Sequence, residues 1–368
     1  MCNAFERHPL QDSSIASGVR LPISLMIIFD GIVFNLQRTG GISVLFTEII
    51  RRLPSESYRL VGFRDTPPPD LALSQYEART PRHVERYRRA DFGMNASVFH
   101  STYYRLPSQR GPKVVTTVYD FVYERLASLP RRLVHSNQKF RAIAEADRII
   151  CISDTTRRDL IEFMGHKYED RTVVIPLAAA DAFYPLPLGE RRPQALFVGS
   201  RAGYKNFIAV VIALAILPDI TLMIVGGGPL TAHEHGMLTR LLNGRFHAAG
   251  YLSDEELNLE YNRSLCLVYP SLYEGFGIPI LEAMRAGCPV IAFNGSSIPE
   301  VAGNAALLLE RGDADEIRVS ISRLMDADLR RTLVARGMAR AAAFTWDATY
   351  RNTMKVYQQL GGLPVDVD

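Results

Sequence analysis

The sequence predicts an α/β protein made of two Rossmann-like domains that face each other across an interdomain cleft. Three observations predict it. Short apolar, β-branched runs alternate with amphipathic stretches of helical period through both halves of the chain. A stretch carrying Pro176, Pro185, Pro187 and Pro193 separates the halves. Strand, glycine turn and helix follow one another three times, after residues 29, 198 and 269, and that succession presents backbone N–H groups and a close backbone approach to a ligand.

Taken in order, residues 1–20 read as a flexible polar tail, without the apolar core of a signal peptide. The first domain is expected over 21–180. Its strand at 23–29 ends at Asp30, and Thr39, Gly40, Gly41, Ile42 and Ser43 lead into an amphipathic helix that reaches about residue 53. Pro67, Pro68, Pro69 and Asp70 break the chain, and the arginine-rich residues 71–91 are expected to be helical. Strands at 97–100 and 113–118 end in Ser101 and in Tyr119-Asp120, and polar residues at the carboxyl ends of such strands face the crevice of an open sheet. A helix at about 132–146, a strand at 148–152, a helix capped by Ser153 and Asp154, and a strand at 172–175 complete the domain. The linker is placed at 181–193 and the second domain at 194–344. There a strand at 195–198 meets the turn Gly199-Ser200-Arg201, and a helix at 204–217 carries Lys205 near its start. A strand at 221–225 ends in Gly226-Gly227-Gly228-Pro229, and the apolar run 266–269 precedes the third glycine turn. The closing segment, 345–368, is helical.

The bulk numbers exclude several classes. Of 368 residues, 47% are apolar and 22% charged, a globular composition. No apolar run approaches the ~20 residues that span a bilayer. Cys2, Cys151, Cys266 and Cys288 show no metal-ligand spacing, and three of them sit in apolar runs, which points to core thiols in a reducing compartment and to no bound metal. Residues 1–180 hold 25 Lys and Arg against 19 Asp and Glu, while the remainder holds 17 against 20. The surplus gathers at Arg82, Arg86, Arg88 and Arg89 and again at Arg125, Arg131 and Arg132. An anionic membrane face or a phosphate-bearing acceptor would suit it, as would a merely solvated basic surface. Nucleic acid is not expected, because no basic stripe interleaved with aromatics is present.

The chemistry concentrates in two turns. In the third, Glu274 precedes Gly275-Phe276-Gly277 and Glu282 lies eight positions on, inside the helix that starts near Ile278. A carboxylate accepts two hydroxyl hydrogens, as from a ribose diol or a sugar ring. The plain alternative is a tight turn with two solvated glutamates. In the second turn, Arg201 offers a fork for phosphate oxygens and Lys205 a point charge. Cations held there would stabilise the negative charge that builds on a departing diphosphate; the plain alternative is a surface Arg/Lys pair.

The spacing of Glu274 and Glu282 around Gly275-Phe276-Gly277 resembles the E-x7-E motif of the retaining, nucleotide-sugar-dependent glycosyltransferases of family 4, which have the GT-B fold. Further segments extend the resemblance over most of the chain: Phe197-Val198-Gly199 with Lys205-Asn206, Ile224-Val225-Gly226 with Gly228-Pro229, Ala249-Gly250-Tyr251-Leu252-Ser253, Val174-Ile175-Pro176-Leu177, Gly40-Gly41-Ile42, and Phe344 with Trp346. The resemblance implies two facing Rossmann-like domains, with the C-terminal helix returning to the first. It implies that Arg201 and Lys205 contact the donor diphosphate with Gly199 and Ser200, that Glu274 holds the donor sugar, and that Glu282 binds the ribose. It places Gly41 and the N–H groups of Gly275, Phe276, Gly277 and Ile278 on sugar oxygens or phosphate, and the base at Tyr251 and Leu252. Asp120 is expected to be catalytic, with Arg201, Lys205 and Glu274. Such enzymes retain anomeric configuration by front-face transfer and use neither cofactor nor metal. The donor is then a nucleotide diphosphate sugar, with GDP-mannose favoured by the Ser200-Arg201 and Tyr204-Lys205-Asn206 spelling. The acceptor is then a glycan or a lipid-linked acceptor in bacterial surface-polysaccharide synthesis, and the expected location is cytoplasmic, extending to the inner face of the cell membrane.

One departure stands out. Members of the family often carry His-Asp where this chain has Tyr119-Asp120; a tyrosine donates a hydrogen bond but is a poor base near neutral pH. His100 ends a nearby strand and reads as a satisfied core histidine or, less simply, as a cleft residue. Two rivals remain: a non-catalytic sugar-nucleotide-binding scaffold, and a nicotinamide oxidoreductase supported only by the Gly226–Gly228 run, which lacks the full G-x-G-x-x-G.

Overall fold

A computed structural model of the chain describes residues 25–37, 40–68, 71–126 and 129–361, the side chains of 129–134 excepted. The expected tail at 1–20, Thr39, Asp70, the side chains of Arg131 and Arg132, and residues 362–368 lie outside this description. Among the described residues the chain forms two wholly parallel sheets. The first takes β1 (Ile27–Phe29), β2 (Tyr58–Gly62), β3 (Tyr76–Ala78), β4 (Val98–Ser101), β5 (Lys113–Val118), β6 (Arg148–Cys151) and β7 (Thr172–Val174), in the order β3-β2-β1-β4-β5-β6-β7. The second takes β8 (Arg192–Val198), β9 (Thr221–Val225), β10 (Phe246–Gly250), β11 (Ser264–Tyr269), β12 (Val290–Phe293) and β13 (Leu307–Leu309), in the order β10-β9-β8-β11-β12-β13. Strands of a parallel sheet are covered by helices on both faces, so their residues are apolar in runs rather than in alternation. Every residue of β1, β4 and β11 is buried for that reason. In each sheet the order reverses at the middle, between β1 and β4 and between β8 and β11. Loops leaving the carboxyl ends of strands at such a reversal form a crevice, and the two crevices face one another here.

Three expectations change. Strand β8 begins at Arg192, which pairs with Ser264, so the last two residues of the expected 181–193 linker already belong to the sheet. Pro193 is tolerated there because the start of a strand can lack an N–H. Residues 71–91 are not helical. They form two short 3-10 turns, Leu73–Gln75 and Glu85–Tyr87, around β3. Pro81 interrupts the stretch, and arginines take up the loop carbonyls that a helix would have bonded internally: Arg82 donates to the carbonyl of Arg89 at 2.9 Å, Arg88 to that of His83 at 2.9 Å, and the buried Arg105 to that of Arg88 at 3.0 Å. The basic cluster is therefore largely engaged within the protein. Finally, the helix expected from 204 runs over Phe207–Ala215, and Lys205 sits in the 3-10 turn Gly203–Lys205 just before it.

The helix Trp346–Leu360 lies against the first half, where it packs on the helix Gly41–Ile50. Thr349 Oγ1 donates to the carbonyl of Pro176 at 2.7 Å, and Arg52 Nε to the Asp347 carboxylate at 2.9 Å. Deeper in, the Tyr357 hydroxyl is hydrogen-bonded to His100 Nδ1 at 2.5 Å, and His100 Nε2 to Thr117 Oγ1 at 2.8 Å. Burial pushes the His100 pKa down to about 3, so the ring is neutral. His100 is a satisfied core residue and does not reach the cleft. Cys151, Cys266 and Cys288 are free and buried.

Candidate active site

The cleft between the two sheets encloses about 680 Å³, within the range of small-molecule sites. The first half lines it with Gly41, Ile42, Tyr119 and Asp120, and the second with Lys205, Tyr269, Glu274, Gly275, Phe276, Gly277, Ile278 and Glu282.

The third glycine turn builds the centre of this site. The chain leaves β11 at Tyr269 and enters the helix Ile278–Arg285. Gly277 caps that helix at φ +104, a conformation that side chains rarely adopt. No side chain caps the helix, and Pro279 in its first turn is a residue for which a missing N–H is harmless. Gly275 meets a different demand. A Cβ there would stand 1.8 Å from the carbonyl oxygen of Tyr119, so only glycine lets the two halves approach this closely. The turn is braced from below: Ser296 Oγ accepts from the Glu274 N–H at 2.9 Å, and Ser297 Oγ lies 3.0 Å from the Glu274 carbonyl and 2.9 Å from that of Phe276.

Charge is arranged around it. Lys205 Nζ pairs with Glu274 Oε1 at 2.5 Å, with the two side chains 12% and 13% exposed. The ammonium also sits 5.3 Å from the centre of the Tyr269 ring and 5.4 Å from that of Tyr204, within cation–π distance of both. Glu282 accepts a hydrogen bond from the buried Tyr261 hydroxyl at 2.9 Å. Burial nonetheless pushes its carboxyl up to about 7. Across the cleft, burial raises the Asp120 carboxyl above the usual range, against the pull of Lys139, whose ammonium lies 2.7 Å from the Asp120 carbonyl and 2.8 Å from the Glu124 carboxylate. Tyr119 does not take the place of a catalytic histidine. Its hydroxyl donates to the carbonyl of Thr102 at 2.8 Å, inside the first half.

Of the residues singled out from sequence, the structure gathers Gly41, Asp120, Lys205, Glu274, Gly275, Phe276, Gly277, Ile278 and Glu282 around the cleft. Gly199, Ser200, Arg201, Tyr251 and Leu252 are not in its wall. Tyr251 is 75% exposed. Arg201 is the clearest departure from expectation. Its Nε donates to Glu234 at 2.7 Å, and its two terminal nitrogens donate to the carbonyls of Gly226, Gly227, Gly228 and Pro229 at 2.9–3.3 Å. The fork that suits a phosphate is occupied by the glycine loop after β9, because that loop turns its carbonyls inward and needs donors. Sequence reading missed Tyr269, Ser296 and Ser297. The two serines had a signal, the run Gly295-Ser296-Ser297 one residue past the end of β12. Among the described residues no group of three or more His, Cys, Asp or Glu is placed to hold a metal ion.

Comparison with known proteins covers nearly the whole chain. Residues 36–179 match Glycosyltransferase Family 4, and residues 181–339 match Glycosyl transferases group 1. The O-antigen chain mannosyltransferase B of Escherichia coli is 30% identical over 326 residues, 82% of this chain and 83% of that protein. Among solved structures, the sucrose-phosphate synthase of Thermosynechococcus elongatus superposes with a TM-score of 0.74 at 22% identity, over 92% of this chain and 99% of its own. Anabaena HepE in complex with UDP-glucose does so with a TM-score of 0.71 at 17% identity, over 91% and 99%. At such identities these two structures speak for the fold alone, which is GT-B.

Proposed function

Because the chain belongs to the family 4 glycosyltransferases, we propose that it moves a hexose, mannose-type, from a nucleotide diphosphate sugar to a glycan or lipid-linked acceptor in surface-polysaccharide synthesis, with retention of configuration. The observation that carries this reading is the Lys205–Glu274 pair in the cleft wall, with Glu282 on the same side and Asp120 on the other. Glu282 would accept the ribose hydroxyls and Glu274 a sugar hydroxyl. The N–H groups at the uncapped start of the helix Ile278–Arg285 would meet donor oxygens. The bond from the anomeric carbon to the diphosphate breaks, the bond to the acceptor oxygen forms on the same face, and the acceptor proton passes to the departing phosphate. Lys205 would stabilise the charge that appears there. Arg201 could join only by giving up its carbonyl partners. The base-reading role of Tyr251 and Leu252 rests on resemblance. Mannose as the sugar is supported by the Escherichia coli relative.

No metal or cofactor is assigned, since Lys205 supplies the compensating charge; turnover that survives EDTA is the expected result. Docking on an anionic membrane at the cytoplasmic face is also part of the reading. It would show as co-sedimentation with vesicles that rises with their anionic lipid content. No helix among the described residues is long and apolar enough to cross a membrane.

Calorimetric titration with GDP-mannose, UDP-glucose and NAD, without added metal, tests the proposal. Binding of one sugar nucleotide, lost in Glu282→Ala, is expected. Binding of UDP-glucose alone would overturn the GDP choice, and slow release of nucleotide from the bound donor separates an enzyme from a scaffold.

A further inference from the structure

The residue just before Glu274 has no place in the cleft wall, yet it is bonded twice to the opposite half. Tyr273 is 6% exposed. Its hydroxyl accepts from the Phe121 N–H at 3.0 Å and donates to a carboxylate oxygen of Asp159. The other oxygen of Asp159 pairs with Arg125 at 2.5 Å, and that guanidinium lies 5.2 Å from the centre of the Phe163 ring and 6.0 Å from that of Tyr273. Phe121 follows Asp120 in the chain as Tyr273 precedes Glu274. One hydroxyl thus fastens together the two loops that carry the facing carboxylates of the cleft.

The same helix of the first half, Asp154–Met164, receives further contacts from the second. Thr156 Oγ1 lies 3.3 Å from the carbonyl oxygen of Gly275. The Glu300 carboxylate accepts the N–H groups of Asp154 and Thr155 at 3.0 and 3.1 Å, where the positive end of a helix favours an anion. The Tyr273, Thr156 and Glu300 contacts all cross between the halves. Relative motion is the default for two domains joined by a modest interface, so a few directed bonds at the donor loop decide where that loop stands.

We propose that Tyr273, held by Asp159, is a positioning residue: it locks the loop bearing Glu274 onto the first half, so that the carboxylate is set for the donor sugar only when the two halves are closed. This rests on the glycosyltransferase reading. A displacement of about 1 Å at a reacting centre can cost ~10²-fold in rate, while the nucleotide, with Glu282 and Lys205 of the second half as its charged partners, is expected to bind whether or not the lock is made. The two effects separate by experiment.

Tyr273→Phe keeps the ring against Arg125 and removes only the hydroxyl; Asp159→Asn keeps the shape and removes the charge. With GDP-mannose as donor, and release of GDP as the readout, each variant is expected to lower kcat at least tenfold and to leave the Kd for GDP within about threefold. The double variant should be no slower than the worse single one, because both act on the same Tyr273–Asp159 contact. Small-angle scattering of Tyr273→Phe should show a larger radius of gyration than the wild type. A wild-type kcat, an equal loss in kcat and GDP affinity, or additive losses would each overturn the proposal. If the wild type itself neither binds nor cleaves any sugar nucleotide, the functional reading fails. The scattering comparison then still decides the lock, and unchanged dimensions in both variants would refute it.

Discussion

Glu282→Gln should make the protein more stable at pH 8 while it weakens the donor site. The Glu282 carboxyl titrates near 7, against an ordinary 4.5, because burial penalises its charge. A folded-state pKa raised in this way contributes stability that is fully present below 4.5 and is lost as pH rises through 7. At ~1.36 kcal/mol per pH unit the full loss is about 3 kcal/mol. The side chain lines an open cleft, so solvent screens part of it, and about 1–2 kcal/mol is the working figure. Gln is neutral throughout and can still accept from the Tyr261 hydroxyl, so the variant escapes the loss. In a chain of this length that is roughly 2 °C in Tm. The assay is thermal unfolding of both proteins at pH 5 and pH 8, read as the difference between them, which removes every other titrating group. Near parity at pH 5 and an advantage for Gln at pH 8 are expected. The same carboxylate predicts that wild-type GDP affinity rises about tenfold from pH 6 to pH 8, and that Glu282→Gln is weaker by ~10- to 100-fold with a flat profile, from the lost charged hydrogen bonds. A Gln variant with no added advantage at pH 8 would refute the reasoning that the site holds an unfavourable charge in readiness for ribose hydroxyls.

Lys205→Met should lower turnover by more than ~10²-fold, since it removes the charge that meets the leaving phosphate; near-normal kcat in the GDP-release assay would withdraw that role. Arg201→Lys should loosen the Gly226–Pro229 loop, because a single ammonium cannot serve four carbonyls and Glu234 together. Amide exchange over 226–228 should quicken at least roughly tenfold, and unchanged exchange would show that the loop stands without it. Tyr119→Phe should cost about 1 kcal/mol of stability for the lost bond to Thr102 and leave turnover within about threefold. A tenfold fall would mean that the hydroxyl works in the cleft after all.

Residues whose chemistry depends on their own turn are legible in the sequence. Lys205, Glu274 and Glu282 are fixed by strand–turn–helix geometry, and a few neighbouring positions set where they point. The strands are legible for a related reason: a sheet buried on both faces must be written in apolar runs. What escapes depends on partners far away in the chain. The stretch 71–91 has helical composition, but its arginines bond to carbonyls brought near by folding, among them those served by Arg105. Arg201 reads as a phosphate fork until Glu234 and the Gly226–Pro229 carbonyls arrive. Tyr273 reads as a neighbour of Glu274 and nothing more until Asp159, 114 positions earlier, is placed beside it. The spacing around Gly275 is visible in the sequence; that the Tyr119 carbonyl presses against it is not.

The return of the last helix to the first sheet also sets a timetable for biosynthesis. His100 and Tyr357 are 257 positions apart. At a synthesis rate of ~5–20 residues per second, roughly 10–50 s separate the appearance of one from that of the other. Through that interval the aromatic layer of Phe29, Phe46 and His100 lacks the ring that closes it. The first half is therefore made well before the ring that completes its aromatic layer, and that layer stays open on one side until residue 357 is free.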